Sequence, residues 1–418
     1  MEFSELSALL TADGLRLLDE LGSVGTTDEA ARAVSRLRAA GHSPDLVSAV
    51  VGQAHLRAKA RAKFGDFADG MLFTRAGLEQ ATRLPVAAHH AGRLRAAGVR
   101  TVADLGCGIG GDALAFAGAG LSVRAVETDE VTAAIAAYNL AAFGDAVRVT
   151  HGRAEALVPS RREHGGARVL SEHQRDEAST LDDIDAVWLD PARRTAGHRE
   201  TQRVGAAEYS PPLEWVFDVA ARIPAGIKLG PGHDRDALPQ DAETQWVSDG
   251  GSVVELVVWT GRLAREGVRR AALVLRGDDA HELTAPGDAD DAEVRPLGAY
   301  LHEPDGAVIR ARLIGDVARQ LGGGMLDPHI AYITGDAAVT SPFVHTFRVR
   351  ETLPFGTKAL GAALRDRGIG TLEIKKRGVD ADPAALRRAL ALRGDESATL
   401  VLTRVGAKRL AILADRVG

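Results

Sequence analysis

The residues best suited to chemistry gather in one stretch, Asp104-Leu105-Gly106-Cys107-Gly108-Ile109-Gly110-Gly111-Asp112. Alternating glycines let a backbone turn sharply and approach a ligand closely, while the helix that follows offers its first amides. Twenty-three residues after Asp104 stands Glu127, placed to accept hydrogen bonds from a ribose diol. Two ligands suit this spacing. Gly106, Gly108 and Gly111 satisfy the G-x-G-x-x-G of a dinucleotide site, with an acid about 20 residues on. A dinucleotide would bring a doubly charged pyrophosphate to the loop, and Asp104 and Asp112 would repel it. S-adenosylmethionine brings an ammonium and a sulfonium, which a carboxylate at Asp104 attracts. The charges favour the methyl donor, with NAD binding by an oxidoreductase as the rival. Cys107 reads as a small residue of the loop rather than a nucleophile.

A second constellation, Asp190-Pro191-Ala192-Arg193-Arg194, directly follows the apolar run AVWLD. Ligands of open parallel sheets collect at the carboxyl ends of strands, so Asp190 is expected in the same crevice as Asp104 and Glu127. Its carboxylate can accept a hydrogen bond or proton from an amine or hydroxyl. Arg193 and Arg194 offer planar, permanently charged groups for phosphate, and Tyr209 and Trp215 are candidate aromatic walls.

These residues need a scaffold. Over residues 1–80 the polarity has helical period: Thr26 to Glu29 fits a capping box, and Ser43-Pro44 starts a further helix. From 81 to 276 short apolar runs (TVADLG, VRAVET, AVWLD, AGIKLG) alternate with amphipathic ones, which predicts an α/β, doubly wound, Rossmann-like parallel sheet. SVVELVVWTG (252–261) and RRAALVLR (269–276) are expected to pair as an antiparallel hairpin at its edge. The charged stretch 160–183 reads as an exposed insertion. Residues 277–306 hold nine acids, one base and three prolines, and read as an acidic linker or surface lobe without regular elements. A last α/β unit is expected over 307–418. One cysteine in 418 residues excludes a disulfide framework and cysteine-based zinc clusters, and no metal site is expected. No run approaches the roughly 20 apolar residues that span a bilayer, and the acidic N-terminal stretch does not suit a secretory signal, so a cytoplasmic protein is expected.

Residues 101–145 together with VWLDPARR resemble class I S-adenosylmethionine-dependent methyltransferases, and most closely the bacterial group with a THUMP-like C-terminal domain. The core is also similar, more distantly, to RNA guanine methyltransferases of the trimethylguanosine synthase type. MLFTRAGLEQAT (71–82), SPFVHTFRVRE and TLEIKKRG extend the likeness over most of residues 65–418. The resemblance implies that Asp104 meets the methionine end of the cofactor and that Gly106, Gly108 and Gly110 form its cradle. It places Glu127 on the ribose, Thr128 beside the adenine, and Asp190 and Pro191 at the acceptor turn. Two positions depart from the pattern. Ala192 and Arg193 stand where amino-group methyltransferases carry proline and an aromatic, and THGRAEAL offers Arg153 or Glu155 in place of the acid expected after the third strand. The Asp-Pro-x-Arg turn is also similar to that of pyrimidine C5 methyltransferases, but that chemistry needs a cysteine beside the acceptor, and the one cysteine lies in the glycine loop.

The net charge of −6 is unevenly spread. Residues 341–418 hold 15 Lys or Arg against 8 Asp or Glu, which leaves −13 on the other 340 residues. Lys375-Lys376-Arg377 is the densest basic cluster, suited to phosphate contacts. The THUMP resemblance implies RNA as partner. The expectation is an enzyme that methylates a nitrogen or oxygen of a structured RNA such as tRNA or rRNA. The rivals are a methyltransferase for a small molecule or protein, and a non-catalytic RNA-binding module.

Overall fold

The computed structural model describes residues 1–158, 183–193 and 209–417. Most of the charged stretch 160–183, and Arg194, lie outside them. The chain forms two compact units: Met1–Leu229 with His233–Ala242 and Val258–Ala264, and Gly230–Gly232 with Glu243–Val257 and Arg265–Gly418.

The first unit opens with helices α1 (Phe3–Leu9), α2 (Ala12–Leu21), α3 (Thr27–Ala39) and α4 (Pro44–Phe64). Their starts obey local chemistry. Thr26 and Glu29 exchange both capping-box hydrogen bonds, and the Ser43 hydroxyl caps α4 ahead of Pro44. Buried polar side chains of α4 then secure the chain that leaves it. Gln53 bonds both backbone groups of Phe73, and Arg57 donates to the Met71 carbonyl. Lys63 donates to the carbonyls of Leu78, Glu79 and Ala81, closing α5 (Arg75–Gln80).

After α6 (Leu84–Ala96), strands alternate with helices: β1 (Thr101–Leu105), α7 (Gly111–Gly118), β2 (Ser122–Glu127), α8 (Glu130–Leu140), β3 (Val147–His151), the short α9 (Ala154–Leu157), β4 (Ala186–Leu189), then β5 (Ala192–Arg193), β6 (Tyr209–Ser210), α10 (Leu213–Ala220) and β7 (Ala225–Leu229). Five of these strands lie in the order β3-β2-β1-β4-β7, all parallel. β4 is buried throughout and β1 nearly so, as strands covered on both faces must be, which explains their unbroken apolar runs.

In the second unit the expected hairpin is replaced by another arrangement. β8 (Glu243–Asp249) lies between β9 (Ser252–Trp259) and β10 (Arg270–Arg276), and β10 pairs in parallel with β8. The antiparallel partner of β10 is β11 (Asp279–Ala285). The strand that intervenes begins Glu-Thr-Gln, too polar to be read as core. Its Glu243 carboxylate is fully buried because the Arg265 guanidinium, at 2.5 Å, compensates the charge. The stretch 277–306 thus contains β11, which ends just before Pro286, and β12 (Tyr300–Pro304).

β12 joins β13 (Gly324–Asp327), β14 (Ile330–Gly335), β15 (Val344–Leu353), β16 (Ile369–Lys376), β17 (Glu396–Val405) and β18 (Lys408–Val417) in a sheet ordered β13-β14-β12-β15-β18-β17-β16. Period-two alternation divides its core. Leu400 and Leu402 pack with Leu360 and Leu364 of helix Thr357–Asp366, while Val401 between them packs on Phe347 and Tyr332. Among the described residues no helix is long and apolar enough to cross a membrane.

Candidate active site

Strand register decides which side chains meet. Asp104 pairs with Trp188 and Trp188 with Gly226, so these three share one face of the parallel sheet. Gly226 is required there: a Cβ would stand 2.5 Å from the Trp188 ring. Two residues further along each strand the same face receives Asp190 and Lys228, and the Lys228 ammonium lies 2.5 Å from Asp190 Oδ2. Lys228 also donates to the Thr82 hydroxyl at 2.9 Å, and that hydroxyl donates to Asp112 Oδ2 at 2.7 Å. The other Asp112 oxygen is 2.9 Å from Nδ1 of His90, whose ring lies 4.4 Å from that of Trp188. Burial pushes the Asp112 carboxyl up, but His90, Lys228 and Thr82 together bring it below its ordinary range.

Asp104, near the carboxyl end of β1, is buried, and its Oδ2 has no hydrogen-bond partner among the described residues. Burial, then the carboxylates of Asp112 and Asp190, push it well above the ordinary carboxylate range. Such an oxygen is costly until a donor or cation reaches it, whereas a pyrophosphate brought there would add to the repulsion.

Beyond Asp104 the loop is built from left-handed glycines. Gly106, Gly108 and Gly110 have φ of 99°, 55° and 87°. The Gly106 and Cys107 amides donate to the Val126 carbonyl, and the Gly108 amide donates to Glu127 Oε2 at 3.0 Å. Glu127 Oε1 accepts from the Asp129 amide and the Thr128 hydroxyl. A carboxylate offers about four lone-pair sites, so capacity is left for a diol. Thr128 is exposed at the tip of β2. Burial, then Asp104 and Glu127, raise the Cys107 thiol, which suits a packed residue and not a thiolate.

The helical residues pack directly on this loop. Asn139 of α8 accepts from the Leu72 amide and donates to the carbonyls of Leu72 and Ile109. Phe64 lies against Gly111, and Ile109 against Gly77. Burial, then Lys228 and Arg83, lower Lys63 to about 8.

The turn that follows β4 is also structured. Pro191 is buried, and Ala192 and Arg193 pair with Ser210 and Tyr209 in a two-stranded ladder. Tyr209 is buried edge-on to His233. Trp215 is buried too, donating to the Val158 carbonyl, which makes it a packing residue of α10. Arg153 and Glu155 pair with each other at 3.0 Å.

In the second unit, strand alternation separates the basic cluster. Lys375 is bound to Glu303 at 2.6 Å and Arg377 lies 3.8 Å from the same carboxylate, over the Tyr332 ring. Lys376 is exposed and has no ion-pair partner among the described residues. Among the described residues no group of three or more His, Cys, Asp or Glu is arranged to hold a metal ion.

Lys228, Thr82, His90 and Asn139 escaped the sequence reading. For Lys228 a signal existed: a lone charge near the end of the apolar run AGIKLG, where Asp104 stands in TVADLG.

Residues 344–416 match the family described as THUMP domain-like, and residues 2–60 match one described as a domain of unknown function (DUF8688). Proteins from two strains of Mycobacterium tuberculosis, each named an uncharacterized S-adenosylmethionine-dependent methyltransferase, are 36% identical over 365 residues, covering 85% of this chain and 92% of theirs. A crystal structure from Porphyromonas gingivalis, described as a methyltransferase, shares the fold with a TM-score of 0.70 at 21% identity, over 99% of this chain and 98% of that one. The length and identity of the mycobacterial match place this chain among the S-adenosylmethionine-dependent methyltransferases.

Proposed function

We propose that this enzyme methylates a nitrogen or oxygen of a structured RNA, such as a tRNA or rRNA. The observation that carries the RNA reading is the THUMP-like match at 344–416, lying in the part of the chain with net charge +7. Bound S-adenosylmethionine supplies a methyl group made electrophilic by its sulfonium. Asp104, with its unpartnered buried oxygen, accepts the methionine ammonium, and Glu127 holds the ribose hydroxyls. Gly106, Cys107, Gly108 and Gly110 line the approach, with Thr128 beside the adenine. Asp190 orients the acceptor N–H or O–H and takes its proton, Pro191 stands beside it at the acceptor turn, and Arg193 and Arg194 are the candidate substrate-phosphate ligands. Alignment of acceptor and methyl group supplies most of the acceleration, worth about 7–11 kcal/mol in well-oriented systems.

A small-molecule or protein acceptor is the second reading, and one observation favours it: Lys375 and Arg377 are engaged by Glu303. Mass spectrometry of nucleosides in RNA from cells with and without the gene decides. A methylated nucleoside missing without the gene names the product; identical profiles sink the RNA reading.

A further inference from the structure

We propose that Lys228 is the positioning residue of the acceptor turn: its ammonium fixes the Asp190 carboxylate and, through Thr82, ties it to Asp112 at the start of α7. The inference rests on Asp190 being the acceptor group.

A lysine on a buried strand is costly unless its charge is matched. The Lys228 side chain is only 11% exposed, and its ammonium lies nearer to Asp190, at 2.5 Å, than to Asp112, at 3.9 Å. Asp112 is already served by Thr82 and His90, so the lysine is not there chiefly for Asp112. The register of β4 with β7 aligns Leu189 with Ile227, so residues 190 and 228 follow side by side. The result is a chain of polar contacts, Asp190–Lys228–Thr82–Asp112–His90, drawn from separate elements. Four of its members are buried or nearly so, and the fifth, Asp190, is 30% exposed. A buried support that ends in one accessible carboxylate at the carboxyl end of a sheet is built to hold that carboxylate still. It also joins the acceptor turn to the helix that begins at the glycine loop, so the two halves of the site keep one geometry.

Two experiments test this, the first without any acceptor. Thermal denaturation of wild type, Asp190→Asn, Lys228→Met and the double variant should show a double loss smaller than the sum of the single losses by about 2 °C or more. Additive losses overturn the proposal. The second measures tritiated methyl transfer to total RNA from cells lacking the gene. Lys228→Met should lose roughly 100-fold in kcat, as misplacement of a reacting group does. Its S-adenosylmethionine affinity by calorimetry should stay within about threefold, because the ammonium acts on the acceptor side. Lys228→Arg, which keeps the charge, should recover at least about a tenth of the wild-type rate. A Lys228→Met rate near wild type, or a loss carried wholly by donor affinity, overturns the proposal. If the wild-type enzyme labels no RNA, the RNA reading fails, and the denaturation cycle alone then decides for or against Lys228.

Discussion

Gly106 runs directly beneath the backbone of Asp190: a Cβ added to it would stand 3.5 Å from the Asp190 carbonyl oxygen. The glycine loop and the turn after β4 therefore run close together, with room for little more than a methyl group between Gly106 and the Asp190 carbonyl. This follows from the register, since Leu105 pairs with Leu189 and the next residues leave their strands together. On the proposed reading, a donor cradled by the loop lies beside an acceptor held at the turn.

At this position the backbone conformation, more than the space, forbids a side chain. Gly106 has φ of 99°, and a non-glycine residue held there costs about 1–3 kcal/mol. Gly106→Ala should lose that much stability in urea denaturation and bind S-adenosylmethionine at least about tenfold more weakly, because relieving the strain moves the loop. Gly108, at φ 55° with nothing within 4 Å of its Cβ position, should tolerate alanine at about 1 kcal/mol. Equal donor affinity in Gly106→Ala and wild type would show that the loop does not bind the donor.

Asp104 sets stability against function. Its folded carboxyl titrates well above the ordinary range, mainly through burial, while in the unfolded chain it titrates normally. Between those two values the folded state keeps a proton that the unfolded state has lost, so ligand-free stability falls as pH rises through the window. Asp104→Asn removes this penalty. The ligand-free variant should melt higher than wild type above the window, with the gain disappearing below the ordinary carboxylate range. Donor affinity should move the other way. In wild type it rises with pH across the window as the carboxylate forms, and Asp104→Asn should lose about 10- to 100-fold, as expected for a hydrogen bond to a charged group. Calorimetry over a pH series that starts below the ordinary carboxylate range and runs upward reads both limbs, and a donor affinity independent of pH would contradict the assignment.

Asn139 connects the helical residues to the loop. Its amide serves the Leu72 amide and carbonyl and the Ile109 carbonyl, all buried from bulk water. Asn139→Ala strands these groups and should cost about 2–4 kcal/mol, measured by urea denaturation. Because Ile109 belongs to the glycine loop, donor affinity should weaken too. A stable variant with reduced affinity would instead make Asn139 a local orienter of the loop.

The glycine loop, the carboxylates at the strand ends and the first parallel strands were legible because apolar runs and special backbone positions are written in residue types. TVADLG, AVWLD and AGIKLG became β1, β4 and β7 with boundaries shifted by one residue. Pairings between distant segments were less legible. Lys228 meets Asp190 only because β7 lies beside β4, a fact of topology that a lone lysine does not announce. β8 was missed because Glu243, Thr244 and Gln245 read as loop, yet Arg265 and Glu282 satisfy Glu243 and Gln245 across the fold. Without β8, the neighbouring runs looked like a hairpin.

The basic cluster of β16 gives the sharpest test of the RNA reading, because adjacent lysines have opposite surroundings. Lys375 is one-fifth exposed, bound to Glu303 at 2.6 Å and set over the Phe347 ring, so it serves the fold. Lys376, one residue on, turns to the other side of the strand and is exposed. Lys376→Ala should leave the melting temperature unchanged while weakening binding to total tRNA and lowering the slope of log affinity against log salt by about one. Lys375→Ala should do the reverse, costing about 1–3 kcal/mol of stability by leaving Glu303 without its nearest partner, with little change in the salt slope. Filter binding over a series of salt concentrations separates the two. Phosphate contacts release counterions and must show in that slope, so binding insensitive to salt in wild type would remove the basic face from the RNA reading and favour a small-molecule or protein acceptor.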